Sequence, residues 1–140
     1  MKVRIYTDGG SRGNPGPSGA GAVIYKLKDG EEGKIIGEVS EFLGKATNNQ
    51  AEYTAIILGL QLAKTLNAKE VDLVMDSELA VKQINGEYRV KNQDLANKFL
   101  SVKNLMAQFT RVHVRHVRRE YNKVADKLVN EAIDKGLGGK

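Results

Sequence analysis

The chain reads as an α/β protein, a five-stranded mixed sheet with helices packed on both faces. Three observations predict this. The apolar pattern switches between period two and period 3.6, in the order β β β α β α α β α. Short turns join the first three strands, which makes them an antiparallel meander. The later strands alternate with helices, which implies crossover connections. The length, 140 residues, suits one domain, and no linker or repeat interrupts it.

The elements follow in order. Residues 1–8 alternate Val3, Ile5 and Thr7 against Lys2, Arg4 and Tyr6, a strand. Residues 9–17 are dense in Gly, Asn and Pro and read as turns. Residues 21–27 form a second strand, and Asp29-Gly30 is a hairpin signal that returns residues 34–43 antiparallel to it. Asn49 followed three residues later by Glu52 suggests a capping box. It opens a helix whose inward stripe is Ala51, Ala55, Leu58, Leu62 and Leu66. Residues 70–76 are short and β-branched, a fourth strand, and residues 77–84 a short helix stopped by Asn85-Gly86. Leu95, Phe99, Val102, Met106 and Phe109 stripe a helix over residues 93–109. Residues 111–117 alternate Val112, Val114 and His116 against Arg111, His113 and Arg115, the fifth strand. Residues 122–135 form the last helix, and residues 136–140 read as a frayed tail.

Composition excludes several chemistries. There is no Cys, so a disulfide framework, a Cys-ligated zinc site and a cysteine nucleophile are ruled out. The longest apolar stretch, residues 55–60, is far short of the roughly 20 residues that span a bilayer. The N-terminal residues lack a signal peptide's apolar core. A cytoplasmic monomer with no membrane partner is expected. The formal charge is +5, and its distribution is uneven: residues 1–110 carry net +1 and residues 111–140 net +4. Such a local excess suits a polyanion, although a solvated charged face is the ordinary alternative.

Four acids fall where a sheet of this order presents ligands. Asp8 closes the first strand and Asp76 the fourth, while Glu52 and Asp126 lie in the first turns of two helices. Each has an ordinary explanation. Asp8 before Gly-Gly suits a turn, Glu52 a capping box, Asp76-Ser77 a helix cap, and Asp126 the helix dipole. Together, four clustered carboxylates repel one another unless a cation intervenes. Hard divalent ions with oxygen ligands relieve that repulsion. Two such ions about 3.5–4 Å apart support an in-line displacement at phosphorus. A basic protein with this site reads as a nuclease or phosphoryl transferase.

At this point the sequence resembles type 1 ribonuclease H, over nearly the whole chain. Thr7-Asp8-Gly9-Gly10-Ser11, followed by Gly13-Asn14-Pro15-Gly16-Pro17, is similar to the family's first motif. Thr47-Asn48-Asn49-Gln50-Ala51-Glu52 resembles the second, Asp76-Ser77 the third, and His116 with Arg119-Glu120-Tyr121-Asn122 and Ala125-Asp126 the fourth. The resemblance implies a ribonuclease H-like fold and a metal-dependent endoribonuclease. Such an enzyme cuts the RNA strand of RNA–DNA hybrids and leaves 5′-phosphate and 3′-hydroxyl ends. It implies two Mg²⁺ ions, with Mn²⁺ as an alternative. Asp8 would touch both, Asp126 the ion on the attacking-water side, and Glu52 and Asp76 the other. His116 would assist proton movement or product departure. Gly9, Gly10, Ser11, Asn14, Asn48 and Asn49 would contact the RNA strand, where short amides and hydroxyls can address the 2′-hydroxyl. Thr47 and Asn49 would grip a phosphate of the DNA strand.

Three departures from the family pattern stand out. Glu78 occupies a place where the family often has Gln, and a carboxylate cannot donate to a base. Residues 85–93 are too short for the family's Lys- and Trp-rich protrusion, which leaves Tyr88 as the candidate aromatic contact. The first catalytic strand begins at residue 2, so no preceding hybrid-binding module is expected. Substrate grip is then expected from the basic run of residues 111–127, above all Arg115, Arg118 and Arg119. Double-stranded RNA is a candidate side substrate, because both duplexes share an A-like shape. A non-catalytic nucleic-acid-binding module of the same fold is the alternative from another class. A related 3′–5′ exonuclease would carry Asp-x-Glu on the first strand, where this chain has Asp8-Gly9-Gly10.

Overall fold

Alternation along the first strand decides the layering. Val3, Ile5 and Thr7 are buried on one face, and Arg4, Tyr6 and Asp8 stand on the other. In the computed structural model, which describes residues 1–139, nine main elements follow in order. They are β1 (Lys2–Ser11), β2 (Gly16–Lys28), β3 (Glu31–Ala46), α1 (Asn48–Thr65), β4 (Glu70–Met75), α2 (Glu78–Ile84), α3 (Gln93–Met106), β5 (Arg111–His116) and α4 (Lys123–Gly136). A 3₁₀ turn, Arg119–Tyr121, precedes α4.

The sheet order is β3-β2-β1-β4-β5. β1, β2 and β3 pair antiparallel, and β1–β4 and β4–β5 pair parallel. Asp29 and Gly30 both take positive φ, 55° and 81°, as a two-residue hairpin between β2 and β3 requires. Val3, Ile5 and Thr7 pair with Val71, Leu73 and Met75, so both strands bury one face against α1, where Ile56, Leu60 and Ala63 meet them. α3 adds Leu95 and Val102 to that layer. On the other face α4 lies over β2 and β1, and Ala125, Val129, Ala132 and Ile133 are its buried stripe. The expected sheet, with helices on both faces, is the observed one.

Several boundaries differ from the sequence reading. β1 runs through Gly9, Gly10 and Ser11 because their partners Ala20, Gly19 and Ser18 keep them extended. The turn chemistry is therefore confined to residues 12–15. β2 and β3 are correspondingly longer than expected. The last helix closes on Gly136 rather than before it: a Cβ there would lie 2.1 Å from Phe42 Cγ, so α4 ends in contact with β3. Beyond it the N–H groups of Leu137, Gly138 and Gly139 bond back to Ile133, Lys135 and Asp134. Lys140, the last residue of the expected tail, lies outside the described residues.

Candidate active site

Parallel pairing of β1 and β4 sets Thr7 against Met75. Asp8 and Asp76 therefore leave adjacent strands side by side. Gly9 brings in the third acid. A Cβ on Gly9 would lie 2.2 Å from the Ala51 carbonyl carbon and 2.4 Å from the Glu52 nitrogen, so only glycine lets β1 press on the first turn of α1. Gly21, opposite Asp8 across the β1–β2 pair, brings in the fourth. A Cβ there would lie 2.8 Å from Leu128 Cβ and 3.1 Å from the Ala125 carbonyl, so its absence lets α4 descend and carry Asp126 over β1. Asp8, Glu52 and Asp126 line one open cleft with Asn48, Asn49 and Arg119. Asp8, Glu52 and Asp76 share a second, smaller and more enclosed recess beside Thr7 and Ser77.

The ordinary explanations fail for three of these acids. Asp8 is mid-strand, paired with Gly21, and not in a turn. The N-cap of α1 is Thr47, not Asn49, and Gln50 completes the capping box, with Thr47 Oγ1 accepting from the Gln50 N–H at 3.2 Å and Gln50 Oε1 from the Thr47 N–H at 3.0 Å. Glu52 takes no part in it. The N-cap of α2 is Ser77, whose hydroxyl accepts from the Ala80 N–H at 3.2 Å, and not Asp76. Asp126 does lie in the first turn of α4, where the dipole favours it.

Electrostatics set these carboxyls apart. Burial, then the charges of Asp76, Asp126 and Glu52, and a hydrogen bond with the Asp126 carboxyl push Asp8 up to about 8. Burial also pushes Glu52 up to about 7. The Ser77 hydroxyl and Arg119 oppose that rise, and Asp76 adds to it. Such mutual repulsion, among oxygen donors only, fits a hard divalent cation. Asp8, Glu52, Asp76 and Asp126 are the residues that would hold it. Among the described residues no three His, Cys, Asp or Glu side chains already close around a single point.

The other expected contacts distribute unevenly. Ser11, Asn14 and Asn48 meet at the start of α1. Asn48 Oδ1 accepts from the Ser11 N–H at 2.8 Å, and Asn14 Oδ1 from the Asn48 N–H at 3.1 Å. Gly9, Gly10 and Asn49 line the cleft with Ser11 and Asn48, whereas Asn14 stands outside it, held against the Asn48 N–H. Thr47 caps α1 behind them. His116 ends β5 opposite Met75, on the α2 side of the sheet. It is exposed and close enough to Glu78 to help hold that carboxyl low, after the larger effect of Lys82. It flanks the cleft rather than lining it. Glu78 pairs with Lys82 at 2.9 Å. Tyr88 sits against the same lysine, whose Nζ lies 5.0 Å from the ring centre, in a separate recess with Leu79, Arg89 and Lys91.

The basic run does not form one patch; its members divide among several places. Strand alternation turns Arg111, His113 and Arg115 onto the sheet face that carries Arg4 and Asp72. There Arg115 Nη2 and Arg4 Nε bond Asp72 at 3.1 and 2.7 Å, which holds that carboxyl below its usual range despite partial burial. Arg118 pairs with Glu120 and lies over the Tyr121 ring. Arg119 alone among the three lines the carboxylate cleft.

Two contributors escaped the sequence reading. Arg12, in the turn after β1, bonds Asp134 at 2.7 Å and ties that turn to α4. Asn122, at the start of α4, is buried and donates to the Thr7 carbonyl at 2.9 Å and to Asp76 Oδ2 at 3.2 Å. Asn122 falls within the stretch that resembles the family's fourth motif, but that resemblance assigned it no role.

Comparison with known proteins points to one family. A family model described as reverse transcriptase-like matches residues 6–132. The bifunctional protein Rv2228c of Mycobacterium tuberculosis is 43% identical over 134 residues, covering 96% of this chain and 36% of that protein. Ribonuclease HI of Halobacterium salinarum is 39% identical over 133 residues, covering 95% of this chain and 65% of its own length. The chain thus spans about a third of the first relative and about two thirds of the second. A crystal structure of LC11-RNase H1 in complex with an RNA/DNA hybrid superposes with a TM-score of 0.89 at 43% identity, covering 96% of this chain and 99% of that one.

Proposed function

The chain belongs to the type 1 ribonuclease H family, and from its carboxylate site we propose a metal-dependent endoribonuclease that hydrolyses the RNA strand of RNA–DNA hybrids by a two-metal-ion mechanism. The products are 5′-phosphate and 3′-hydroxyl ends. The observation that carries this reading is the convergence of Asp8 on β1, Asp76 just beyond β4, Glu52 near the start of α1 and Asp126 in the first turn of α4. The hybrid bound by LC11-RNase H1, a relative of similar length, supports the substrate class.

The four carboxylates would hold two divalent cations, Mg²⁺ or Mn²⁺. When bound, such ions supply the positive field in which a water attacks the phosphodiester in line and the 3′-oxygen departs. The chain's own residues do the rest. The network of Ser11, Asn14 and Asn48 commits its two amide oxygens to backbone N–H groups. The NH₂ groups of both amides then remain as donors toward the RNA minor groove, where a 2′-hydroxyl can accept. Asn49 offers a further amide on the same cleft. Arg119 offers a fixed positive charge for a phosphate. His116, exposed at the edge, accepts or delivers a proton as product leaves.

The reading is tested by offering one labelled RNA strand paired with DNA, paired with RNA, or unpaired, all with Mg²⁺. Cleavage of the hybrid well above the other two is expected. Equal cutting of double-stranded RNA would move the substrate class, and binding of the hybrid with no turnover under Mg²⁺ or Mn²⁺ would leave a binding module.

A further inference from the structure

The starts of α1, α2 and α3 are closed by side chains: Thr47, Ser77 and Asn92 accept from the N–H groups of Gln50, Ala80 and Asp94 at 3.2, 3.2 and 2.7 Å. Asn122 stands at the equivalent place before α4 and makes no cap. An asparagine chosen for helix stability turns its Oδ1 to the helix N–H groups. Here the side chain turns the other way. Its Nδ2 donates to the Thr7 carbonyl at 2.9 Å and to Asp76 Oδ2 at 3.2 Å, while its buried Oδ1 has no partner among the described residues. A missing cap and an unpaired buried oxygen both oppose folding. Stability alone does not account for this residue.

The geometry joins three carboxylate-bearing elements at one point. Thr7 immediately precedes Asp8. Asp76 is bonded directly. The Asn122 carbonyl accepts the N–H of Asp126 at 3.1 Å. An amide NH₂ can only donate, so it offers Asp76 attraction where every other near acid offers repulsion. We propose that Asn122 is a positioning residue: its carboxamide locks the Asp76 carboxylate against the end of β1 and ties both to the start of α4. This rests on the reading of the four carboxylates as a cation site. Residues that hold ligands from behind typically change metal affinity or activity by about 10–100-fold when removed.

The test uses Asn122→Ala, which removes both bonds, and Asn122→Asp, which keeps the shape but replaces the donor by an acceptor. Three measurements are made on each and on the parent chain: Mg²⁺ binding by calorimetry without substrate, kcat and KM on hybrid, and thermal melting. Both variants are expected to bind Mg²⁺ about tenfold or more weakly. They should lose kcat by a similar factor, with KM for hybrid within about twofold of the parent. A merely structural residue would lower the melting temperature and leave Mg²⁺ affinity and kcat intact below it. That outcome overturns the proposal, as does a raised KM with unchanged kcat, or melting of both variants below the assay temperature. If the parent chain itself neither binds Mg²⁺ nor cleaves hybrid, the functional reading fails instead.

Discussion

Asp8 and Asp76 emerge from adjacent parallel strands, one residue beyond the paired Thr7 and Met75. Nothing in a sheet separates such neighbours, so their charges face each other across one strand spacing, about 4.8 Å. Burial first, and this charge after it, push Asp8 up to about 8 from its ordinary 3.8.

A stability prediction comes from that shift. The raised carboxyls, Asp8 at about 8 and Glu52 at about 7, keep protons in the metal-free fold that the unfolded chain has already released. Their contribution is therefore complete below about pH 4 and is lost as pH rises to about 8. Asp8→Asn removes the larger of the two. In chelator at pH 8 it should melt several degrees above the parent, ~3–6 °C for a domain of this size. The gap should close toward pH 5. Melting curves of both proteins between pH 5 and 9 check this, and parallel curves would contradict it.

Close approach at Gly9 makes a second prediction. Gly9→Ala forces a methyl into the first turn of α1, where the nearest backbone atom is 2.2 Å away. Destabilisation of about 1–3 kcal/mol or more is expected, together with loss of cleavage, since the Asp8–Glu52 pairing opens. At Gly10 the nearest atom is Val129 Cγ1 at 3.7 Å, an ordinary contact. Gly10→Ala should change stability by no more than about 0.5 kcal/mol. Urea unfolding of the two variants separates them, and equal losses would show that packing on α1 is not what selects glycine.

The arginines should divide by location. Arg119 shares the cleft with the acids. Arg119→Ala should weaken hybrid binding and reduce the salt slope by about one. Arg115 is bonded to Asp72 away from the cleft. Arg115→Ala should leave the salt slope alone and cost about 1 kcal/mol of stability, since the pair is partly screened by solvent. Binding isotherms at several salt concentrations distinguish these outcomes. A slope lowered equally by both would restore the single basic patch.

The order of elements was legible because each strand and helix keeps its own apolar period. Three of the four acids were legible because each sits at an element's end, and Asp8 because turn chemistry follows it, although β1 in fact runs on to Ser11. What escaped was decided by partners far away in sequence. Gly9-Gly10-Ser11 has turn chemistry, yet β2 holds it as strand. Asn49 and Glu52 match a capping box as well as Thr47 and Gln50 do locally; only the entry of the chain from β3 chooses between them. Alternation of residues 111–116 puts Arg111 and Arg115 together on one sheet face, but Arg118 and Arg119 lie beyond the strand, where the turn before α4 sets their direction. Asn122 lay inside a family-like motif, but its role was not legible, because the direction of one carboxamide depends on β1 and β4 both being in place.

The central claim, that four carboxylates form a cation-dependent cutting site, is tested most directly on an end-labelled RNA–DNA hybrid. Cleavage by the parent chain is measured with Mg²⁺ and with excess chelator, beside Asp8→Asn under both conditions. Cutting should appear only for the parent with Mg²⁺, and Asp8→Asn should fall by at least about 10³-fold, as expected when a residue central to the site is removed. Cleavage that persists in chelator, or an Asp8→Asn enzyme as active as the parent, would contradict it.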